Sequence, residues 1–328
     1  MRILVIGASG FAGSLLVPVL SARGHAVRAL GRDPERVRAA LSRTRWEWRR
    51  QDVDVVRADV LSGDGLARAL AGVEVAYYLI HSMERTPADG AVFAERERVA
   101  AENFATAAAA EGVRRIVYLG GLAPRGGSQA APAGAVDGAR VSRHLASRAQ
   151  VEQILLGAVA DSLALRASIV IGARSRSFRL LVHLLERMPV LTLPAWQALR
   201  TQPIDARDVI DMLAACATAR LSGRSLDIGG PDVLTYGEML SGIAQLMLVN
   251  RPTVRLRVNL TGVTARVAAA IASEDPELVV PLMEGLRDDL LPRDDHAAQL
   301  LGVRLHSFDA AVEHALAEWV QSEPLAAR

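Results

Sequence analysis

Seven residues near the amino terminus constrain the fold more than any other stretch of the chain. The run Gly7 to Gly13 reads G-A-S-G-F-A-G and directly follows a hydrophobic run, Arg2 to Ile6. The residues after it have helical character, so the glycines join a predicted strand to a predicted helix. Backbone amides and the positive end of the helix dipole converge at such a junction, where an anion is stabilised. The run therefore predicts a phosphate-binding loop at the first turn of a βαβ fold.

Short apolar runs alternate with helical stretches over the first half of the chain. This alternation builds right-handed βαβ crossovers and a parallel sheet covered on both faces. We expect a doubly wound Rossmann domain over residues 1–172, to which 202–230 returns, and a smaller, discontinuous, mostly helical lobe from 173–201 and 231–328. The predicted strands are 2–6, 26–30, 53–58, 73–79, 115–119, 162–167 and 225–228, and the predicted helices include 11–23, 34–42, 91–111, 140–157 and 207–220.

The end of the second predicted strand bears on the choice between the two nicotinamide dinucleotides. A fold that prefers NAD usually presents an acid here to bind the ribose hydroxyls, whereas this chain has Gly31-Arg32. A guanidinium pairs well with a 2′-phosphate, so Arg32 predicts NADP(H) in preference to NAD(H). The alternative is a solvated arginine paired with Asp33. Asp59, after the third strand, either accepts from the adenine amino group or caps a helix.

The charged residues and the single cysteine exclude several kinds of chemistry. All 38 basic residues are arginine, so Schiff-base chemistry and a Walker-type lysine are excluded. Cys216 has no second thiol, which excludes disulfides within the chain and cysteine metal sites. A net charge of +2 with arginines spread along the sequence argues against a nucleic-acid partner. No apolar run of about 18 residues occurs, so we expect a cytoplasmic protein without a membrane span.

Several motifs occur together over roughly residues 1–245. They are the Gly7 to Gly13 loop, Ala58 to Val60, Tyr78 to Met83, Arg115 to Gly121, Gln202 to Ile204 before Asp208-Val209, and Asp227 to Pro231. This set resembles the atypical short-chain dehydrogenase/reductases, in the NAD(P)-binding branch that includes NmrA-like proteins and an accessory subunit of respiratory complex I. The Tyr78 to Met83 stretch is similar to an epimerase-like bacterial subgroup. The resemblance implies the Rossmann fold and the cofactor more firmly than a reaction.

The sequence departs from that family at its catalytic residues. The resemblance implies a serine or threonine after the fifth strand and a Tyr-x-x-x-Lys on the next helix. Gly120-Gly121 occupies the first position, and by spacing His144 and Arg148 occupy the other two, on one helix face. Arg148 would bind the nicotinamide-side ribose, or form a structural salt bridge. His144 would act as a general base, or be a hydrogen-bonded wall residue.

The predicted site therefore has a cofactor part and a catalytic part. His81, at the end of the fourth strand, either borders the cofactor or has a structural role. Beyond the sixth strand, Arg174, Arg176 and Arg200 could form a cationic rim for an anionic or carbonyl-bearing substrate. The predicted catalytic residues are His144 and Arg148, and no metal site is predicted. The predicted cofactor-binding residues are Gly7, Ser9, Gly10, Phe11, Ala12, Gly13, Arg32, Asp59, Val60, Leu79, His81 and Arg148.

Two functions are consistent with these residues. The first is an NADP(H)-dependent oxidoreductase or epimerase-like enzyme that transfers a hydride to or from a small molecule, with the cofactor supplying the chemistry. The second is a non-catalytic NAD(P)-binding regulator, redox sensor or assembly protein, for which a protein partner is possible and none of the missing catalytic residues is needed.

Overall fold

The alternating apolar runs form one parallel sheet. The computed structural model describes residues 1–43, 53–80, 90–122, 143–188, 190–193, 195–249, 252–255 and 288–322, without the side chains of 90–92, 143–145, 191–193, 253, 255 and 322. The sheet has seven strands, all parallel, in the order β11-β6-β5-β4-β1-β2-β3. They are β1 (Arg2–Ile6), β2 (Ala26–Gly31), β3 (Val53–Arg57), β4 (Val75–Tyr78), β5 (Arg115–Gly121), β6 (Leu163–Ala167) and β11 (Arg224–Ile228).

Helices cover both faces of this sheet, which is why β1 is apolar along nearly its whole length. One face packs against α1 (Phe11–Ala22), α2 (Pro34–Ser42) and α7 (Ala206–Cys216). The opposite face packs against α3 (Leu66–Leu70), α4 (Gly90–Ala110) and α5 (Arg143–Ala158). Neighbouring residues of β1 point to opposite cores, Val5 to the first and Leu4 to the second. The predicted doubly wound Rossmann fold is confirmed.

A third core lies outside the sheet. It is built from α6 (Arg176–Arg187), α8 (Tyr236–Leu246) and α10 (Phe308–Ser322), and Phe178, Tyr236 and Trp319 are among its buried aromatic residues. The remaining elements described are α9 (Ala297–Leu301), a 3-10 helix (Ala195–Ala198) and the short strands β7 (Val170–Ile171), β8 (Leu191–Leu193), β9 (Arg200–Thr201), β10 (Ile204–Asp205), β12 (Leu234–Thr235) and β13 (Thr253–Arg255).

The strand order reverses direction between β1 and β4. From β1 the chain adds β2 and β3 on one side, and from β4 it adds β5, β6 and β11 on the other. In open parallel sheets, a crevice forms beyond the carboxyl ends of the strands at this reversal. The glycine loop follows β1 directly, so the topology places it at the crevice.

Most element boundaries lie within three residues of those predicted from the sequence. The main exception is the predicted helix over 207–220, since α7 ends at Cys216 and the following residues form a turn closed by the Ala217 amide on the Ala214 carbonyl at 3.3 Å. Across the described ranges, none of the helices has the length and apolar character needed to cross a membrane.

Candidate cofactor-binding site

Two glycines let the loop after β1 lie tightly against its neighbours. Gly7 has a φ of +80°, and a Cβ on it would lie 2.7 Å from the carbonyl oxygen of Leu79 at the end of β4. A Cβ on Gly13 would lie 2.3 Å from the Gly7 carbonyl oxygen and 2.8 Å from the Ala8 Cα. These neighbours are backbone atoms that cannot move aside. The first glycine therefore brings the loop against β4, and the third lets α1 begin close to β1.

The middle glycine leaves the start of α1 open. Gly10 is the exposed N-cap residue of α1, no side chain caps the helix, and its first turn contains no acid. Among the described residues, a Cβ on Gly10 would come close to the Gly7 carbonyl oxygen, at 3.1 Å, and to no other atom beyond its chain neighbours. Within the described part of the chain, the free amides and the positive helix end therefore have no capping side chain and no acid in the first turn. This cradle fits a phosphate group of a dinucleotide.

The remaining loop residues lie on the accessible side of the cradle. Ser9, Phe11 and Ala12 are each partly exposed. The Phe11 ring also contacts the segment that follows β7, since a Cβ on Gly172 would lie 2.9 Å from the ring Cζ. The structure therefore brings the predicted loop residues together at one edge of the sheet.

Arg32 and Asp59 follow the ends of β2 and β3. Arg32 is exposed, and the carboxylate of the next residue, Asp33, caps α2 by accepting from the Glu35 amide at 2.9 Å. The Asp59 carboxylate accepts from the Leu61 amide at 2.8 Å, which forms an Asx turn. The alternative that Asp59 caps a helix is wrong, because α3 begins seven residues later with Gly65 as its N-cap.

Asn103 on α4 holds the turn that contains Val60. Its Nδ2 atom donates to the carbonyl oxygens of Val60 and Leu61, at 3.0 and 2.9 Å. Val60 itself is buried, as is Leu79, whose carbonyl supports Gly7. Sequence reasoning missed Asn103, because a single amide in a long helix carries no signal of a distant loop.

Arg148 lies in the interface between α5 and the sheet. It is 5% exposed, and its guanidinium lies near the hydroxyl of Tyr118 on β5. Burial raises the pKa of Tyr118 to about 12, and the nearby guanidinium opposes this shift. The backbone of His144 belongs to α5, but its side chain lies outside the described residues, as does the whole of His81. The structure therefore places one of the two predicted catalytic side chains.

The Tyr118 ring accounts for the glycine at the position where the resembling family carries serine. A Cβ on Gly120 would lie 2.8 Å from the ring Cε1 atom and 3.5 Å from the hydroxyl oxygen. The ring therefore occupies the space of a side chain at position 120 and directs its hydroxyl along β5 toward the carboxyl end. The sequence shows the missing serine but not the aromatic ring that replaces it.

A layer of buried charges and hydroxyls continues from Arg148 along the same face of the sheet. Ser147 donates to a Glu97 carboxylate oxygen at 2.7 Å. Farther along α5, Glu152 accepts two hydrogen bonds from the Arg166 Nε and Nη2 atoms at 2.9 and 2.5 Å, and Arg166 also reaches Asp227 on β11 at 3.5 Å. Paired and hydrogen-bonded charges of this kind are tolerated in a core, and they fix α5 over the strand ends.

The predicted cationic rim does not assemble as one surface. Arg200 forms an ion pair with Asp289, with hydrogen bonds of 2.9 and 2.6 Å. Arg174 points instead toward α1, where its Nη1 atom donates to Ser14 at 3.2 Å. Within the described part of the chain, no group of three or more histidine, cysteine or acidic side chains could hold a metal ion.

Comparisons with known proteins agree with this geometry. Residues 7–166 match the NAD(P)H-binding family. The gox2253 protein is 21% identical with a TM-score of 0.75, covering 99% of both chains. UDP-glucose 4-epimerase of Thermotoga maritima, solved with UDP-glucose, is 14% identical with a TM-score of 0.70, covering 98% of this chain and 99% of its own.

A second epimerase has the same architecture. UDP-glucuronic acid 4-epimerase of Bacillus cereus, solved in complex with NAD, is 17% identical with a TM-score of 0.70, covering 98% of this chain and 97% of its own. No curated protein matches the chain in sequence. At these identities, the solved structures show the fold that the chain shares with them.

Proposed function

We propose that the chain, whose residues 7–166 match the NAD(P)H-binding family, is an NADP(H)-dependent oxidoreductase or epimerase-like enzyme of the atypical short-chain dehydrogenase/reductase type. The observation that carries the proposal is the open, acid-free start of α1 behind Gly10, at the reversal of the strand order. The substrate we propose is a small molecule that enters the crevice beyond the strand ends.

The chain's own residues would bind and orient the cofactor in four places. The Gly7 to Gly13 loop would hold the diphosphate, Arg32 would pair with the 2′-phosphate, and Asp59 would accept from the adenine amino group. Arg148 would bind the nicotinamide-side ribose from α5. When bound, the cofactor supplies a hydride at nicotinamide C4.

Hydride transfer to a carbonyl needs a proton donor, and hydride removal from an alcohol needs a base; His144, His81 or water held by one of them would take these roles. Arg148 lies one helical turn from His144, so its fixed charge would favour the neutral imidazole, which is able to accept a proton. The alternative proposal is a dinucleotide-binding regulator or sensor. Gly120 favours this alternative, because the buried Tyr118 ring fills the space of a side chain at position 120. The catalytic serine of the resembling family would have no room at this position.

The first arm of the test measures cofactor binding by titration calorimetry. We expect wild-type protein to bind NADPH more tightly than NADH, and Arg32→Glu to lose that preference, because a carboxylate repels the 2′-phosphate. Arg36→Glu is a matched control, since Arg36 is an exposed arginine on the outside of α2. Equal affinities in wild type would contradict the choice of NADP(H).

The second arm separates the enzyme from the sensor. NADPH oxidation is followed with a panel of small carbonyl compounds, including UDP-keto sugars. If the chain is an enzyme, His144→Ala should slow hydride transfer at least about tenfold while NADPH affinity changes little. Tight NADPH binding with no oxidation by any compound would support the sensor instead, whose oxidised and reduced complexes should differ in conformation.

A further inference from the structure

Arg174 reaches the phosphate-loop helix from the smaller part of the chain. It follows β7, in a turn closed by the Ser175 amide on the Gly172 carbonyl at 2.9 Å. Gly172 lies against Phe11 of the loop, so this turn packs directly on the start of α1. The turn after β7 therefore places Arg174 beside the predicted phosphate site rather than on a substrate rim.

A short chain of hydrogen bonds fixes the orientation of Arg174. Its Nη1 atom donates to the hydroxyl of Ser14 at 3.2 Å, and that hydroxyl donates to the Phe11 carbonyl oxygen at 3.2 Å. Ser14 is fully buried, so this acceptor is a fixed point on the first turn of α1. A guanidinium has five N–H donors, and within the described part of the chain the Nη1 atom supplies the one that is engaged.

The charge of Arg174 has no carboxylate partner among the residues that the structure describes. Burial lowers the pKa of the guanidinium, and Arg43 lowers it further, while Glu318 is the one acid with an opposing effect. Two helix ends add to the positive field, since neither α1 nor α6 has a side-chain cap or an acid in its first turn. A half-buried cation in a positive surrounding is costly unless an anion compensates it.

We propose that Arg174 is a cofactor-binding residue that contacts the diphosphate of the dinucleotide at the start of α1. This proposal rests on the proposed function and adds a residue from outside the amino-terminal domain to the cofactor site. A planar guanidinium matches two phosphate oxygens, so the contact would be bidentate. The diphosphate would supply negative charge beside a guanidinium that has no carboxylate partner among the described residues.

The test uses Arg174→Met, which keeps the length of the side chain and removes its charge. We expect the affinities for NADH and NADPH to fall by the same factor, about tenfold or more, as for the loss of a charge-assisted hydrogen bond. The melting temperature without ligand should stay the same or rise, because an uncompensated charge is removed. Arg224→Met is the control, because Arg224 is an exposed arginine at the start of β11, and it should leave both affinities unchanged.

Other outcomes overturn the proposal in distinct ways. If only the affinity for NADPH falls, Arg174 contacts the 2′-phosphate and not the diphosphate. If neither affinity changes, Arg174 does not contact the cofactor. If Arg174→Met does not fold, Ser14→Ala is tested in its place, because this substitution removes the hydroxyl acceptor that orients Arg174. It should weaken both dinucleotides severalfold, and unaltered binding would refute the proposal.

Inorganic pyrophosphate separates this proposal from the proposed function. It should raise the melting temperature of the wild type but not of Arg174→Met. If pyrophosphate stabilises the wild type in this way while neither dinucleotide binds, the proposed function fails and the anion site stands. If dinucleotides bind but the two proteins respond alike to pyrophosphate, the role of Arg174 fails and the proposed function stands.

Discussion

Of the three glycines in the phosphate loop, Gly13 has the least room for a side chain. Its missing side chain lets the first turn of α1 approach the Gly7 carbonyl and Ala8, both of which belong to a backbone fixed by β1. A side chain there would push the helix away from the sheet. It would also move the free amides away from any phosphate in front of them.

We therefore expect Gly13→Ala to lower the free energy of unfolding by about 2 kcal/mol or more, as overpacking against rigid neighbours does. Dinucleotide affinity should fall in any protein that still folds. Urea denaturation at constant protein concentration measures the first effect. Gly157→Ala is the control, because Gly157 is an exposed helical glycine of α5 with no atom within 4 Å of an added Cβ. It should raise stability by about 0.5 kcal/mol. Similar losses in both variants would contradict the packing argument.

At the residue scale, the sequence predicts what local spacing encodes. The glycine positions and the placement of Arg148 four residues after His144 are visible in the chain itself. The contacts of Asn103, Tyr118 and Arg174 are not, because each links residues that are distant in sequence. Sequence reasoning assigned Arg174 to a substrate rim, since it could not show that the turn after β7 packs on Phe11.

At the element scale, a buried carboxylate joins α7 to the segment just before α10. Asp208, in the first turn of α7, accepts from the His306 amide at 2.8 Å and lies 2.5 Å from the Nδ1 atom of its ring. Asp208 is buried, whereas the His306 side chain is 41% exposed. Burial raises the pKa of Asp208, and both contacts with His306 oppose that shift. The segment before α10 is thus attached to the Rossmann domain at this point.

We expect Asp208→Ala to cost about 2 kcal/mol of unfolding free energy, because it removes a buried carboxylate and leaves the part-buried His306 amide without its acceptor. His306→Ala should cost less, since it removes a half-exposed ring and keeps the backbone contact. Chemical denaturation measures both. Glu313→Ala, an exposed acid on α10, serves as the control and should change stability by no more than about 0.5 kcal/mol. A larger cost for His306→Ala than for Asp208→Ala would contradict this account.

Element lengths explain which elements the sequence predicts. The strands of the main sheet and helices such as α1 and α4 are long enough to show an apolar run or a helical period. β7, β9, β10 and β12 have two residues each and no period at all. These short strands pair with one another outside the main sheet. Arg174 follows β7, and Asp205 is the last residue of β10. Pairing with distant parts of the chain, and not the propensity of their own residues, therefore determines these short strands.

At the scale of the whole molecule, the groups that titrate in alkali are buried. All four tyrosines and the single cysteine lie in the core. Burial raises the pKa values of Tyr118 and Tyr236 from 10.0 to about 12, and that of Cys216 from 9.0 to about 12. The unfolded chain would lose these protons at the lower values. Because the chain has no lysine, no other abundant group titrates in this range.

Stability should therefore fall as the pH rises from about 9 to about 12, because the unfolded state then binds fewer protons than the folded state. Urea denaturation at pH 7, 9, 10 and 11 measures the trend. Since the thiol titrates first, Cys216→Ala should delay the onset by about one pH unit. A free energy of unfolding that stays constant up to pH 11 would contradict the burial of these groups.

The position of β11 has a consequence for how the chain is made. β11 pairs with β6, but more than fifty residues of the polypeptide separate the two strands. During synthesis, the six preceding strands can assemble while β6 still exposes an unpaired edge and Arg166 lacks its contact with Asp227. Unpaired edges invite association with other chains. A ribosome that pauses between β6 and β11 would therefore hold the nascent chain at its most aggregation-prone stage, and a chaperone would be needed there first.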